Sequence, residues 1–383
     1  MERKIKDYLK ERDRAGLLRG LTTVSLKNDS LIRVGGRDFI NFSSNDYLGL
    51  STHPDIINAA AGSAGPVFGS CASRLMTGST EFHTRLEEKT AAFKRKPAAL
   101  VFNSGYQANV GIISALCGRD DVIFSDKLNH ASIVDGISLS GARFFRFRHN
   151  DAAHLKELLS KERGKHRRSL VITETVFSMD GDIAPVEEIA GLKRKHDSLL
   201  MADEAHATGV FGESGGGILE EKGVTDLCDI VMGTFSKALG SFGAYVATSE
   251  NMKEYLVNTC RSFIYSTALP VSVISANIAA LDVVEKEAHR RETLLSNALY
   301  FRDSLRKKGF EVKGESQIVS MIIGKDQETV RMSEQLKERG YWVTPVRPPT
   351  VPKGTSRLRI SVTYNHTRDL LDRLVEDISD ICK

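Results

Sequence analysis

Three apolar, β-rich runs of this sequence end in polar side chains that could do chemistry together. The run SLLMA ends in Asp203, with His206 three residues later. The run DIVMG leads through Thr234 and Ser236 to Lys237, 34 residues beyond Asp203. The run LVIT ends in Glu174 and continues to Ser178-Met179-Asp180-Gly181. A strand-end carboxylate can keep a pyridine nitrogen protonated, which turns the ring into an electron sink. A lysine amine with a lowered pKa can form a Schiff base with an aldehyde. Together these are the demands pyridoxal 5'-phosphate places on a protein. Ser104-Gly105-Tyr106, between a strand and a helix, adds backbone N–H groups at a helix N-terminus, which suit a phosphate. On spacing alone the alternative stands that these are unspecialised polar residues at strand ends.

Two competing motifs fail on context. Asp203–His206 spells DEAH, but a helicase also needs GxxxxGK[ST] to hold nucleotide phosphates, and the chain has none. Gly212-Glu213-Ser214-Gly215-Gly216 fits GxSxG, yet it lies in a glycine-rich loop rather than on a strand-to-helix elbow. The basic run 161–168 has no interleaved aromatic residues, so it reads as a solvated face rather than a nucleic-acid surface.

The elements that must carry these residues alternate. Between about 98 and 250, apolar runs at 99–102, 122–125, 143–147, 170–173, 199–202, 230–233 and 243–248 alternate with helical stretches. Such alternation predicts an α/β fold with a mainly parallel sheet flanked by helices, and ligands bind beyond the carboxyl ends of such strands. A helix is expected within residues 1–20 and a long one near 272–309. Strands at 318–323, 341–345 and 357–362 and helices at 327–339 and 367–381 then predict a smaller α+β unit. The expected division is an N-terminal helix and extension over 1–45, a large cofactor-binding domain over 46–275, and a small C-terminal domain over 276–383. Four of nine prolines crowd into one loop between 345 and 352.

Composition limits the class. With 383 residues, 41% hydrophobic and 27% charged, the chain is large enough for two cores and too apolar for disorder. A net charge of +4 implies no polyanionic partner, so no nucleic acid is expected. No apolar run reaches membrane-spanning length. Cys71, Cys117, Cys228, Cys260 and Cys382 are scattered without a CxxC pair, which predicts free thiols, no metal site and a cytoplasmic protein.

Longer segments resemble a known family. Residues 234–240 (TFSKALG) resemble the cofactor-lysine segment of fold-type I pyridoxal-phosphate enzymes. Residues 41–49 (NFSSNDYLG), 129–132 (NHAS), 176–182 (VFSMDGD) and 203–206 (DEAH) resemble the α-oxoamine synthase family. The likeness runs in order from about residue 37 to the C-terminus. Residues 341–355, followed by Arg357 and Arg359, are most similar to the branch that condenses L-alanine with a pimeloyl thioester, carried on coenzyme A or an acyl carrier protein. Branches using glycine with an acetyl thioester, or other pairs, are the alternatives. A non-catalytic partner subunit is the alternative of another class, and such a subunit would lack the Schiff-base lysine.

The resemblance implies a role for each matched residue. Lys237 holds the cofactor and later acts as the base. Asp203 pairs with the ring nitrogen, His206 and Ser178 face the ring oxygen, and His130 stacks on the ring. Ser104, Gly105, Tyr106 and Thr234 hold the phosphate, with Thr267 reaching it from the other subunit of a homodimer that shares its active sites. Asn45 lies near the reacting centre. Arg359 clamps the amino-acid carboxylate, leaving Arg357 as surface charge. Arg19 and Arg347 meet the acyl substrate. Cys71 stands where the family has a small residue such as glycine, and is read as packing.

Overall fold

Seven strands build the central sheet of the computed structural model, which describes residues 1–14, 17–26, 30–63 and 69–383. Their spatial order is Ala98–Phe102, Ala244–Thr248, Ile230–Thr234, Leu199–Asp203, Ser169–Glu174, Val122–Asp126 and Arg143–Phe147. Ala244–Thr248 runs antiparallel to both of its neighbours, and the remaining pairs are parallel. Helices cover both faces, so five of these strands are buried at every residue. That is why they appear in the sequence as continuous apolar runs instead of alternating ones. Arg143–Phe147 is the edge strand and largely exposed; Arg143 lies over the Phe145 ring and Arg146 over Phe144. Charged side chains of this kind discourage pairing with another chain.

Helix Gly105–Leu116 is N-capped by Ser104, whose hydroxyl accepts the Gln107 N–H at 3.2 Å. Helix Ala131–Ser140 is capped by His130 and lies close against it. Gly136 permits that approach, since a Cβ there would sit 3.0 Å from the Asn109 carbonyl oxygen.

Strands Val312–Lys313, Ile318–Gly324, Ser356–Ser361 and Thr344–Val346 form a second, wholly antiparallel sheet in that order. A third sheet joins Ser25–Leu26, Leu31–Val34 and Arg37–Asn41 to Tyr341–Trp342. The expected 341–345 strand is therefore two strands serving two sheets: the first pairs with Arg37–Asn41, the second with Ser356–Ser361. The expected long helix near 272–309 is likewise two, Val271–Lys286 and Ala288–Lys307. Glu287 breaks it at φ −108°, ψ 54°, where its carboxylate is held by Arg290 at 2.5 Å and His53 at 3.2 Å. The helix break at Glu287 has no glycine or proline beside it, whereas the strand run carries Pro345 two residues after its break at Val343. The N-terminal helix is Glu2–Arg14 and buries none of its residues; positions 15 and 16 of the expected 1–20 span lie outside the described residues. Among the described residues no helix is long and apolar enough to cross a membrane.

Candidate active site

The parallel strands deliver their polar ends to one place. Glu174, Asp203 and Met232 sit side by side in register at the carboxyl ends of adjacent strands. Lys237 follows in the turn after Ile230–Thr234. An inner cavity of about 250 Å³ opens there, lined by Gly105, Tyr106, His130, Asp203, His206, Thr234 and Lys237. Asn109, Ser132, Glu174 and Ser236 complete the polar part of its lining. A larger cavity of about 580 Å³ lies outside it and shares His130, His206 and Lys237. Its other walls include Asn45, Ser178, Arg359, Arg12, Arg19 and Arg347 with Pro345, Pro348 and Pro349.

Burial sets the protonation states. The Lys237 ammonium loses hydration, which pulls its pKa down to about 8 against the opposing charges of Asp203 and Glu174. Burial pushes the Glu174 carboxyl up to about 8, and the neighbouring Asp203 charge adds to the rise. Burial first, then the Lys237 charge, holds His206 well below 6.5, so its imidazole is neutral. His130 is lowered, mainly by burial.

A neutral His206 fixes the direction of a hydrogen-bond chain. Lys237 Nζ lies 2.9 Å from His206 Nε2, and the Tyr47 hydroxyl 2.7 Å from His206 Nδ1. With the ammonium donating to Nε2, the ring proton sits on Nδ1 and points to the Tyr47 oxygen. Tyr47 then donates to Asn45 Oδ1 at 3.1 Å. That same oxygen accepts from Arg359 Nη2 at 3.2 Å, while Arg359 Nε donates to the Ser178 carbonyl at 2.6 Å and Nη1 to the Ser361 hydroxyl at 2.8 Å. Arg359 Nη2 also donates to the Tyr47 hydroxyl at 3.5 Å, so four of the five guanidinium N–H groups are engaged and one, on Nη1, is left.

Asp203 is held as an acceptor: Oδ1 takes the Ala205 N–H and Oδ2 the Asn109 amide, both at 2.9 Å. The Asn109 amide also reaches the Ser132 hydroxyl at 3.0 Å, and that hydroxyl lies 2.8 Å from His130 Nδ1. The backbone N–H of His130 is anchored on Glu174 Oε1 at 2.6 Å.

The structure thus gathers Lys237, Asp203, His206, His130, Gly105, Tyr106 and Thr234 at the inner cavity, and Asn45, Ser178, Arg359, Arg19 and Arg347 at the outer one. Ser104 stands just outside as a helix cap. Thr267 lines neither cavity; its carbonyl accepts the Asn103 amide at 2.9 Å and its backbone bridges to Ser73. Arg357 corrects the expectation of surface charge. It is buried at 2% exposure and paired with Asp180, because its face of the small sheet, opposite to the one that Leu358 and Ile360 turn to the core, lies against the 177–182 loop. Cys71 is exposed in this chain rather than packed, at φ 62°, a left-handed conformation that a glycine would adopt without strain. Sequence reasoning passed over Asn109, Ser132 and Tyr47 and gave Glu174 no role. Asn109 carried a signal: it stands four residues after Gly105, on the same helix face.

The donor set fits pyridoxal phosphate. An amine near half-neutral at pH 8, a doubly anchored carboxylate and a neutral imidazole surround one small cavity. The N–H groups of Gly105 and Tyr106, first in their helix, have no intrahelical acceptor to compete with a phosphate.

Residues 37–378 match the family model described as aminotransferase class I and II. The chain belongs to this family. Among curated members it is 49% identical to the 8-amino-7-oxononanoate synthase of Geotalea daltonii, over 96% of this chain and 94% of that one. Among solved structures it is similar to a serine palmitoyltransferase from S. paucimobilis bearing a pyridoxal phosphate–myriocin aldimine, with 30% identity and a TM-score of 0.92 over 99% and 96% of the two chains. It is also similar to the 8-amino-7-oxononanoate synthase of Francisella tularensis, with 32% identity and a TM-score of 0.78 over 89% and 97%.

Proposed function

We propose that this protein is an 8-amino-7-oxononanoate synthase, which condenses L-alanine with a pimeloyl thioester and releases carbon dioxide and the free thiol in biotin biosynthesis. The observation that carries the reading is the 49% identity over nearly the whole of both chains, joined to a lysine–aspartate–histidine cluster at the meeting point of two cavities. Likeness to the serine palmitoyltransferase is strong in fold but stands at 30% identity. It makes serine with a long acyl thioester the second reading to test.

Pyridoxal phosphate, when bound in the inner cavity, supplies the electron sink that stabilises negative charge on the amino-acid Cα. Lys237 is the amine that holds it, and Asp203 keeps the ring nitrogen protonated. The Gly105 and Tyr106 N–H groups would take the phosphate beside Thr234, whose hydroxyl donates to the Gly243 carbonyl at 2.8 Å. His206 and Ser178 face the ring oxygen, and His130 covers the open ring face. Arg359, through its charge and the N–H left on Nη1, would seat the alanine carboxylate. With alanine seated, the Lys237 amine would take the Cα proton. A bond then forms between Cα and the acyl carbonyl carbon, the thiolate leaves, and the β-keto acid loses carbon dioxide. Lys237 returns a proton to Cα. The outer cavity, about 580 Å³, has a cationic lining that includes Arg19 and Arg347, suited to a chain ending in a carboxylate.

The chain works as a homodimer in this reading. Tyr106, which lines the inner cavity, Phe242 and Tyr265 are large apolar side chains exposed at 49%, 52% and 73%, and Thr267, two residues from Tyr265, is exposed as well, so a second copy seated over this surface is the reading in which Thr267 serves its neighbour's phosphate. The test is a thiol-release assay crossing alanine, glycine and serine with pimeloyl, acetyl and palmitoyl thioesters, on coenzyme A and on acyl carrier protein. Preference for alanine with pimeloyl supports the proposal; preference for serine with palmitoyl, or glycine with acetyl, refutes it.

A further inference from the structure

The loop between Val176 and Ile183 belongs to neither sheet, yet it supplies Ser178 to the outer cavity and a backbone carbonyl to Arg359. Its base is closed by Phe177 N–H to Asp182 O at 3.0 Å and Gly181 N–H to Phe177 O at 2.8 Å. Two buried or half-buried ionic groups grip it from opposite sides. On the side of the central sheet, His149 bridges Asp126 Oδ1 at 2.9 Å and Asp182 Oδ2 at 2.6 Å. The ring meets Phe177 edge-on at 4.4 Å. Facing two carboxylates, the imidazole is held protonated, its pKa raised to about 10, so both nitrogens donate. On the side of the small sheet, Arg357 pairs with Asp180, and the Ser316 hydroxyl donates to the Gly181 carbonyl at 2.8 Å. Gly181 lies directly on that sheet, since a Cβ would fall 2.1 Å from the Ile318 carbonyl oxygen.

We propose that His149 and Arg357 are positioning residues that clamp the 177–182 loop between the two sheets, fixing Ser178 and Arg359 relative to Lys237. Arg357 and Arg359 rise from the same face of one strand, so the pairing with Asp180 also sets where the Arg359 guanidinium comes to rest. Asn150 Nδ2 adds a bond to Asp182 Oδ2 at 2.8 Å and Ser320 Oγ one to the Met179 carbonyl at 2.5 Å, and the ionic grips at Asp180 and Asp182 are the charged members of this set. The inference rests on the reading of Arg359 as the seat of the alanine carboxylate.

The test compares wild type with His149→Gln, Arg357→Met and Arg357→Lys. Hydrogen–deuterium exchange of the 176–183 segment is measured in the cofactor-free protein, and steady-state kinetics in the loaded enzyme. Exchange at Phe177 and Gly181 should quicken at least tenfold in His149→Gln and Arg357→Met. The KM for alanine should rise about tenfold, with the KM for the thioester unchanged, and Arg357→Lys should recover part of the loss. Unchanged exchange overturns the proposal, as does a fall in kcat that merely tracks a lowered melting temperature with both KM values intact. Should wild type turn over no alanine, the proposed function falls, while the exchange result still decides the clamp. If Arg357→Met does not fold, His149→Gln carries the test alone.

Discussion

The placement of Lys237 makes a quantitative demand on its reactivity. Burial brings the amine to about 8 from its ordinary 10.5. At pH 7 about one amine in ten is then neutral, against about one in three thousand for an unperturbed lysine, a gain of roughly 300-fold in nucleophile. Trace acetylation of the cofactor-free protein across pH 6–11, read by mass spectrometry of the peptides, follows each lysine separately. The Lys237 peptide should reach a plateau with a midpoint near pH 8. The exposed Lys325, whose ammonium is held above 10.5 by its bond to Glu328, should still be climbing at pH 10. Glu174→Gln removes one of the two carboxyls that favour the Lys237 ammonium, so the midpoint should move down. A Lys237 profile that climbs beside Lys325, or a midpoint that rises in Glu174→Gln, would refute the electrostatic account.

Other perturbations test the surroundings of that amine. Asn109→Leu strips Asp203 of a buried donor and should cost about 1–3 kcal/mol, seen as weaker cofactor retention on equilibrium dialysis and as a lower melting temperature. Lys94→Met leaves the fully buried Glu204 without its cation and should destabilise the fold by about 3–5 kcal/mol in urea titration, with Lys94→Met/Glu204→Leu recovering most of it. Cys71→Gly relieves a left-handed residue and should stabilise by about 1 kcal/mol in thermal unfolding; a loss would show that the cysteine side chain is needed. His149 titrates near 10 when folded and near 6.5 when unfolded, so its contribution is complete below 6.5 and is lost as pH rises toward 10. Wild type minus His149→Gln stability, followed by urea unfolding between pH 6 and 10, should shrink with rising pH, and a flat difference would contradict the raised pKa.

Much of this protein is decided locally. Strands buried on both faces must be apolar at nearly every position, so the runs of the central sheet other than the exposed 143–147 edge stand out of the sequence, and chain direction then puts Glu174, Asp203 and Lys237 at one end. The DEAH, VFSMDGD and TFSKALG segments are contiguous, and the chemistry of an amine and a carboxylate at strand ends can be read from them directly. What the sequence alone could not settle are facts about partners distant along the chain. Whether an arginine on an alternating strand is surface charge or a buried grip depends on what covers that face, and Arg357 finds Asp180 177 residues away. Tyr47 and Asn109 take their meaning only from His206 and Asp203, which the fold brings to them. The split at 341–345 and the break at Glu287 arise from tertiary pairing that outweighs local propensity. Spacing fixes which groups the chain possesses; packing, through desolvation and enforced proximity, decides which of them meet and in what protonation state.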